Sequence, residues 1–235
     1  MAKIYAGTSG WAYTSWKPDF YPAKLPSAKF LEYYATRLNS VEVNYTFRSR
    51  VTKPLLADWI AATPAHFKFV VKAHQSITHI KRLRGVARRV SQFLASLEPL
   101  RKARKLGPVL FQLPPNFKCD IPRLDEFLDN LPRGARAAIE FRHPSWFVDE
   151  VYERLHRAGL ALCQAESEEI ETPDVETADF RYFRLRKDSY PPRARKAIKQ
   201  KVTEAARSGD VFVYFKHEDT PDGALYAEAL LKDGH

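Results

Sequence analysis

Short apolar runs rich in β-branched and aromatic residues alternate with stretches of helical period along the whole chain. The first run, KIYAGTSGW, leads through a proline-rich loop to a predicted helix over residues 27–38. Ser27 can cap that helix, and Phe30, Leu31, Tyr34 and Leu38 recur at helical spacing. SVEVNYTF (40–47) is the second strand, and Pro54 suits the first turn of the helix after it. FKFVVKAH (67–74) is the third. A basic amphipathic segment over 85–104 follows, with Val86, Val90, Phe93, Leu94 and Leu97 as its apolar stripe. GPVLFQLPP is the fourth strand, stopped by its double proline. A helix over 123–130, the strand RAAIEFRH, a helix over 148–158 and the strand LALCQAES come next. DFRYFRLR, a helix over 193–207, DVFVYFKH and a helix over 223–231 complete the order.

Eight strands alternating with helices in 235 residues match a (β/α)8 barrel, which typically takes about 250 residues. The reading is a TIM-barrel-like α/β fold of parallel strands with outer helices, as one domain over 1–235. A doubly wound sheet would place a Gly-rich turn directly before the first helix. Here GTSGW runs instead into AYTSWKPDFYPAKLP, which is loop.

Residues two apart on a strand share a face. Val41 and Val43 therefore oppose Glu42 and Asn44, and Phe67, Phe69 and Val71 oppose Lys68, Val70, Lys72 and His74. Val109, Phe111 and Leu113 oppose Leu110 and Gln112, while Ile139 and Phe141 oppose Glu140 and Arg142. Gln164 groups with Glu166, Tyr182 with Arg184 and Arg186, and Tyr214 with Lys216. Seven strands thus carry polar or charged groups on one face, mostly near their C-terminal ends. In a barrel the apolar face meets the helices and the other points inward, opening onto the βα loops. Ionised groups of both signs converging there imply a hydrated pocket, a mutual ion-pair network that plugs the barrel, or both.

These residues resemble the YecE-like family, domain of unknown function 72. The likeness spans nearly the whole chain, through GTSGWAYTSW, LEYYATRLNSVEVNYTF, WIAATPAHFKFVVKAHQSITH, KLGPVLFQLPPNF, AIEFRHPSW, DFRYFRLR and VYFKHEDTPDGALYAEAL. It implies a TIM-barrel-like fold and no established activity. Two positions depart from the family pattern. The seventh strand usually ends in His-Gly, where this chain has Arg186 and Lys187. The eighth usually ends in Asn residues and Asp, where this chain has Lys216, His217 and Glu218. Both departures favour charge at the mouth and point to altered or lost specificity.

Composition adds a class of partner. The net charge is +10, and residues 79–90 hold five Lys or Arg with no acid. Residues 186–201 hold seven against Asp188 alone. Such runs attract polyanions or form solvated helix faces. The N-terminus has no apolar leader region and no run is long enough to span a membrane, so a cytoplasmic protein without a membrane partner is expected. The two cysteines, Cys119 and Cys163, are far apart and outside any CxxC pattern, which speaks against a disulfide or zinc framework.

Three functions fit. The first is a hydrolase or lyase for a phosphorylated or nucleic-acid-derived substrate, without a cofactor. Lys72, Arg142, Arg184, Arg186 and Lys216 would supply cations, and Glu42, Glu140 and Glu166 the acid–base groups. Asn44, Gln112, His74 and His143 would add polar ligand contacts. Trp11, Tyr13, Trp16 and Trp146, on the first and fifth βα loops, would stack a base or sugar. The second is a divalent-metal hydrolase using His74, His143 and His217 with those carboxylates, a set without HxH or HExxH spacing and opposed by the surplus of cations. The third is a non-enzymatic nucleic-acid-binding barrel that uses its basic helices. Ser9 is not in a GxSxG elbow, and Cys163 is expected on the outward face, so neither is a nucleophile candidate.

Overall fold

The computed structural model describes residues 2–132, 134–167, 170–216 and 220–232. Among them, β1 (Ile4–Thr8), β2 (Ser40–Val43), β3 (Lys68–Lys72), β4 (Leu106–Gln112), β5 (Ala137–Glu140), β6 (Ala161–Glu166), β7 (Phe180–Leu185) and β8 (Asp210–Phe215) form one sheet. The strands run in the order β1-β8-β7-β6-β5-β4-β3-β2, all pairs parallel. The helices are α1 (Phe30–Arg37), α2 (Lys53–Ala61), α3 (Ala87–Ser96), α4 (Glu98–Lys102), α5 (Ile121–Asp129), α6 (Asp149–Ala158), α7 (Pro192–Ala205) and α8 (Asp222–Lys232). Ser27 does not cap the first helix: it opens a 3-10 turn over Ser27–Lys29, and α1 begins at Phe30 without a side-chain cap, whereas other ends fall on their signals. Thr52 caps α2 by accepting from the Leu55 amide, Asp120 caps α5, and Gly159 ends α6 at φ 65°. The 85–104 segment is two helices, because Pro99 cannot continue α3 and opens the first turn of α4.

The apolar faces of the strands meet the helices as predicted: Val41, Phe69, Phe111, Ile139 and Phe183 join α-helical residues in the outer core. Inside the barrel lies a second core of Tyr5, Val70, Leu110, Ala138, Cys163, Tyr182, Phe212 and Tyr214. Its N-terminal end is closed by Tyr5 stacked on Phe212 at 4.7 Å, with the Arg136 guanidinium over Phe180 and Phe212.

One strand runs in the opposite phase to expectation. Ala161, Cys163 and Ala165 of β6 face the bore, whereas Gln164 donates to Asp174 and Glu166 pairs with Lys187. The bore is filled from β7, β8 and β1 by Phe180, Tyr182, Phe212, Tyr214 and Tyr5, so β6 contributes small side chains.

The barrel is nearly closed. No strand ladder joins β1 to β2, and side chains span the seam instead. The Ala6 amide donates to Asn39 Oδ1 (2.9 Å), and Asn39 Nδ2 donates to the Ile4 carbonyl (2.8 Å). The Thr8 amide donates to the Tyr34 hydroxyl (2.9 Å), which lies 3.0 Å from the Ser40 carbonyl. The backbones come so close here that a Cβ on Gly7 would lie 2.0 Å from the Ser40 oxygen.

Candidate functional site

Strand ends at the C-terminal mouth bring two acids and several cations together. Glu42, completely buried on β2, accepts from Ser9 Oγ (2.5 Å), Tyr182 Oη (2.6 Å), Arg184 Nε (2.9 Å) and Nη2 (2.7 Å), and Arg186 Nη2 (2.9 Å). Glu140 on β5 accepts from Gln112 Nε2 (2.8 Å) and Arg184 Nη1 (2.5 Å). Arg184 thus bridges both carboxylates, and Arg186 also donates to Ser9. These groups meet because each sits at an inward position of its strand or just beyond its end.

Accessibility divides the cluster. The side chains of Glu42, Glu140 and Arg184 are 0, 4 and 5% exposed and form a floor, while that of Arg186 is 17% exposed. Lys72, half-buried, has its ammonium 4.2 Å from the centroid of the Phe47 ring and no hydrogen-bonding or ionic partner among the described residues. His79 stands edge-on to the same ring, at 4.8 Å.

The protonation states follow from these contacts. Burial would raise the Glu42 and Glu140 carboxyls, yet the guanidiniums of Arg184 and Arg186 and the hydrogen bonds hold both below the usual carboxylate range. Burial also acts on the cations. It combines with the charge of Arg184 to bring Lys72 down to about 8 and to lower Arg186. His79 is lowered by burial and then by Lys72, Arg142 and Arg82. Arg184, held between two carboxylates, is raised instead.

The other candidate residues disperse. Glu166 is drawn to Lys187 at 2.7 Å, and Gln164 points away from the bore. Trp146 is completely buried, stacked on Phe141 at 4.5 Å with Nε1 donating to the Phe117 carbonyl, so it has no open face for a ligand. Trp16 is buried among Phe20 and Tyr21. His74 and His143 each accept at Nδ1 from the amide of the serine two residues on, Ser76 and Ser145, and serve local turns. His74 lines a separate cavity with Arg50 and Arg89. Lys216 pairs with Asp188 at the rim, and Arg142 lies close enough to depress His79. His217 lies outside the described residues. Among the described residues no three His, Cys, Asp or Glu converge as a metal set. Cys163, expected on the outward face, points into the bore, where burial and Glu140 keep its thiol well above its ordinary value and unreactive.

Ser9, Tyr182 and Phe47 complete the cluster, although none of them is a site candidate in the sequence reading. Tyr182 was legible as the residue two before Arg184, and Ser9 as the first residue after β1. Phe47 had no signal, because its approach to Lys72 depends on how the β2–α2 loop folds back.

Fold and site together define a parallel (β/α)8 barrel with a buried, cation-rich cluster at its C-terminal mouth. The chain belongs to the family described as "Protein of unknown function DUF72", whose profile matches residues 5–234. It is similar to UPF0759 protein YunF of Bacillus subtilis (strain 168), 31% identical over 157 residues, covering 64% of this chain and 55% of that protein. It is likewise similar to UPF0759 protein YecE of Escherichia coli (strain K12), 32% identical over 158 residues, covering 67% and 55%. The chain therefore spans about half the length of the curated relatives it matches. A solved DUF72 family protein from Thermotoga maritima superposes with a TM-score of 0.87 at 26% identity, covering 98% of each chain. An AP endonuclease, family 2, from Brucella melitensis shares the fold, with a TM-score of 0.57 at 10% identity, covering 99% and 98%. No helix among the described residues is long and apolar enough to cross a membrane.

Proposed function

We propose that the protein binds an anionic, phosphate-bearing ligand at the C-terminal mouth and acts on it as a hydrolase or lyase. One observation carries the reading: the cluster holds more positive than negative charge. Two carboxylates, Glu42 and Glu140, face Arg184, Arg186 and Lys72, and burial with the charge of Arg184 lowers the last two from their ordinary values while Arg186 keeps its charge. An anion beside Lys72 and Arg186 would restore the balance. Arg186 offers hydrogen-bond donors and Lys72 a point charge, the pairing that phosphate recognition uses.

The roles differ from those the residue types alone suggest. Glu42 and Glu140, held ionised by Arg184, position the guanidiniums and are poor proton carriers at neutral pH. Lys72, near 8, is the group placed to exchange a proton with the ligand. The AP endonuclease of the same fold is a precedent for nucleic-acid chemistry on this barrel, an analogy of fold alone.

The second reading, a nucleic-acid binder, draws on Arg88 and Arg89 of α3 and Arg193, Arg195 and Lys196 of α7, all exposed. One experiment separates the two. Inorganic phosphate and a short single-stranded oligonucleotide are titrated against the wild type, Arg186→Met, Lys72→Met and a quintuple alanine variant of those helix residues. Loss of about tenfold or more in phosphate affinity in the mouth variants only supports the proposal, since one charge-assisted hydrogen bond is worth about 1.5–3 kcal/mol. Oligonucleotide binding that follows the helix residues alone, with no phosphate binding at the mouth, overturns it.

A further inference from the structure

A cavity of about 480 Å3 opens beside the charged floor, between the loop after β1 and the loop after β2. That volume is within the range of about 300–1,000 Å3 usual for small-molecule sites. Its wall includes Trp11, Tyr13, Tyr45 and Trp59, and among the described residues none that lines it carries a charge at neutral pH. Tyr45, 53% exposed, stands at the cavity rim where its ring face is open. The remaining aromatics are held firmly. Trp11 meets Trp59 edge-on at 5.5 Å, and Trp59 is stacked on Phe69 at 5.6 Å. The Tyr21 hydroxyl donates to the Trp11 carbonyl at 2.6 Å. Gly10, at φ 118°, makes the turn that brings Tyr13 over, and a Cβ there would lie 2.7 Å from the Tyr13 hydroxyl.

Two polar features mark where a guest would be read. Asn44 lines the cavity, and its Oδ1 is buried without a hydrogen-bond partner among the described residues. Buried acceptors are normally satisfied, and this one asks for an N–H or O–H donor. The oxygen is covered, so engaging it takes a side-chain movement in the cavity wall. Ser9 lies in the same wall, and its hydroxyl donates to Glu42 and accepts from Arg186. The neutral, aromatic cavity is therefore one residue away from the guanidinium offered to an anion.

We infer that this cavity is the base subsite of a nucleotide whose phosphate sits on Arg186 and Lys72. The inference rests on the anion-binding reading above and names its ligand class. A planar ring satisfies aromatic walls through its faces and one acceptor through its edge. A sugar carries hydroxyls on every edge, and the wall offers few partners for them. Adenine, guanine, cytosine and uracil each present an N–H, so Asn44 Oδ1 can accept from any of them.

The test titrates the four ribonucleoside 5′-monophosphates, ribose 5-phosphate and adenosine against the wild type and Tyr45→Ala, reading calorimetric affinity and tryptophan fluorescence. Tyr45 is exposed, so its truncation leaves the core intact, and circular dichroism checks this. The expected result is that at least one monophosphate binds about tenfold or more tightly than ribose 5-phosphate, the scale of a single base–aromatic stack. Tyr45→Ala should erase that advantage, leave ribose 5-phosphate binding unchanged, and abolish the quenching of Trp11. Equal binding of every monophosphate and ribose 5-phosphate would overturn the base subsite while leaving the anion site standing. Quenching by adenosine with no phosphate dependence would support the subsite and overturn the anion site. Absence of binding by all six compounds would overturn both.

Discussion

Arg184 of β7 grips Glu42 of β2 in a fork, Nε to Oε2 at 2.9 Å and Nη2 to Oε1 at 2.7 Å, across strands that share no hydrogen-bond ladder. Its third nitrogen, Nη1, takes Glu140. Replacing Arg184 with Met leaves buried Glu140 with Gln112 alone and takes one of two guanidiniums from Glu42, which keeps Arg186, Ser9 and Tyr182. The expected cost is about 3–5 kcal/mol in urea unfolding, the scale for breaking a buried ion pair from one side. Adding Glu42→Gln and Glu140→Gln to that variant should recover part of the loss. A cost below about 1 kcal/mol would mean that the floor relaxes or hydrates without its arginine.

Lys72 should behave in the opposite sense. Its half-buried ammonium makes no ion pair among the described residues, and burial with Arg184 outweighs the pull of Glu140 and Glu42, so Lys72→Met is expected to raise stability at pH 7 while weakening phosphate binding, a trade-off common at functional sites. With the folded-state value lowered to about 8, the unfolded chain binds more protons between about 8 and 10.4. The wild type should therefore close the gap to Lys72→Met as pH rises through that window. The gap at neutral pH is expected to be about 1–3 kcal/mol, since one pKa unit is about 1.4 kcal/mol. Thermal unfolding of both proteins from pH 7 to 10.5 checks it, and a wild type more stable than the variant at pH 7 would contradict it.

Acid should undo the floor. Glu42 and Glu140 are both held below their unfolded-state values, so their contribution is full above about pH 4.3 and is lost as pH falls from there toward the lower folded values. Urea midpoints of the wild type and Glu42→Gln should be far apart at pH 7 and converge as pH drops below 4. A constant separation over that range would show that Glu42 does not draw its stabilising effect from ionisation.

The seam between β1 and β2 gives a prediction about local opening. Asn39→Ala removes the acceptor of the Ala6 amide and the donor to the Ile4 carbonyl, leaving partly buried groups unpaired. The expected cost is about 1–3 kcal/mol. Amide exchange should quicken first at Ala6 and Thr8, with β4 and β5 unaffected. Gly7→Ala should weaken the same seam by about 1–3 kcal/mol or more through overpacking, because its Cβ has no room beside Ser40. Uniformly faster exchange around the whole ring would show instead that the barrel opens as one unit.

The eight strands, their order and the inward placing of Glu42, Glu140, Arg184 and Arg186 could all be read from the chain. Each follows from local backbone geometry: a strand alternates faces every residue, and a helix repeats its apolar stripe every three to four. Tertiary packing decided the rest. The phase of β6 was settled by aromatic volume arriving from β7, β8 and β1, which admitted Cys163 and Ala165 and turned Gln164 and Glu166 away. Trp146 became core, not platform, because Phe117 and Phe141 enclose it. Which acids stay charged, and which lysine comes down to about 8, was decided by the meeting of Arg184, Arg186 and Lys72 from two strands far apart in sequence. A local pattern carries the direction of a side chain, but electrostatic state depends on distances to partners that only the closed barrel sets.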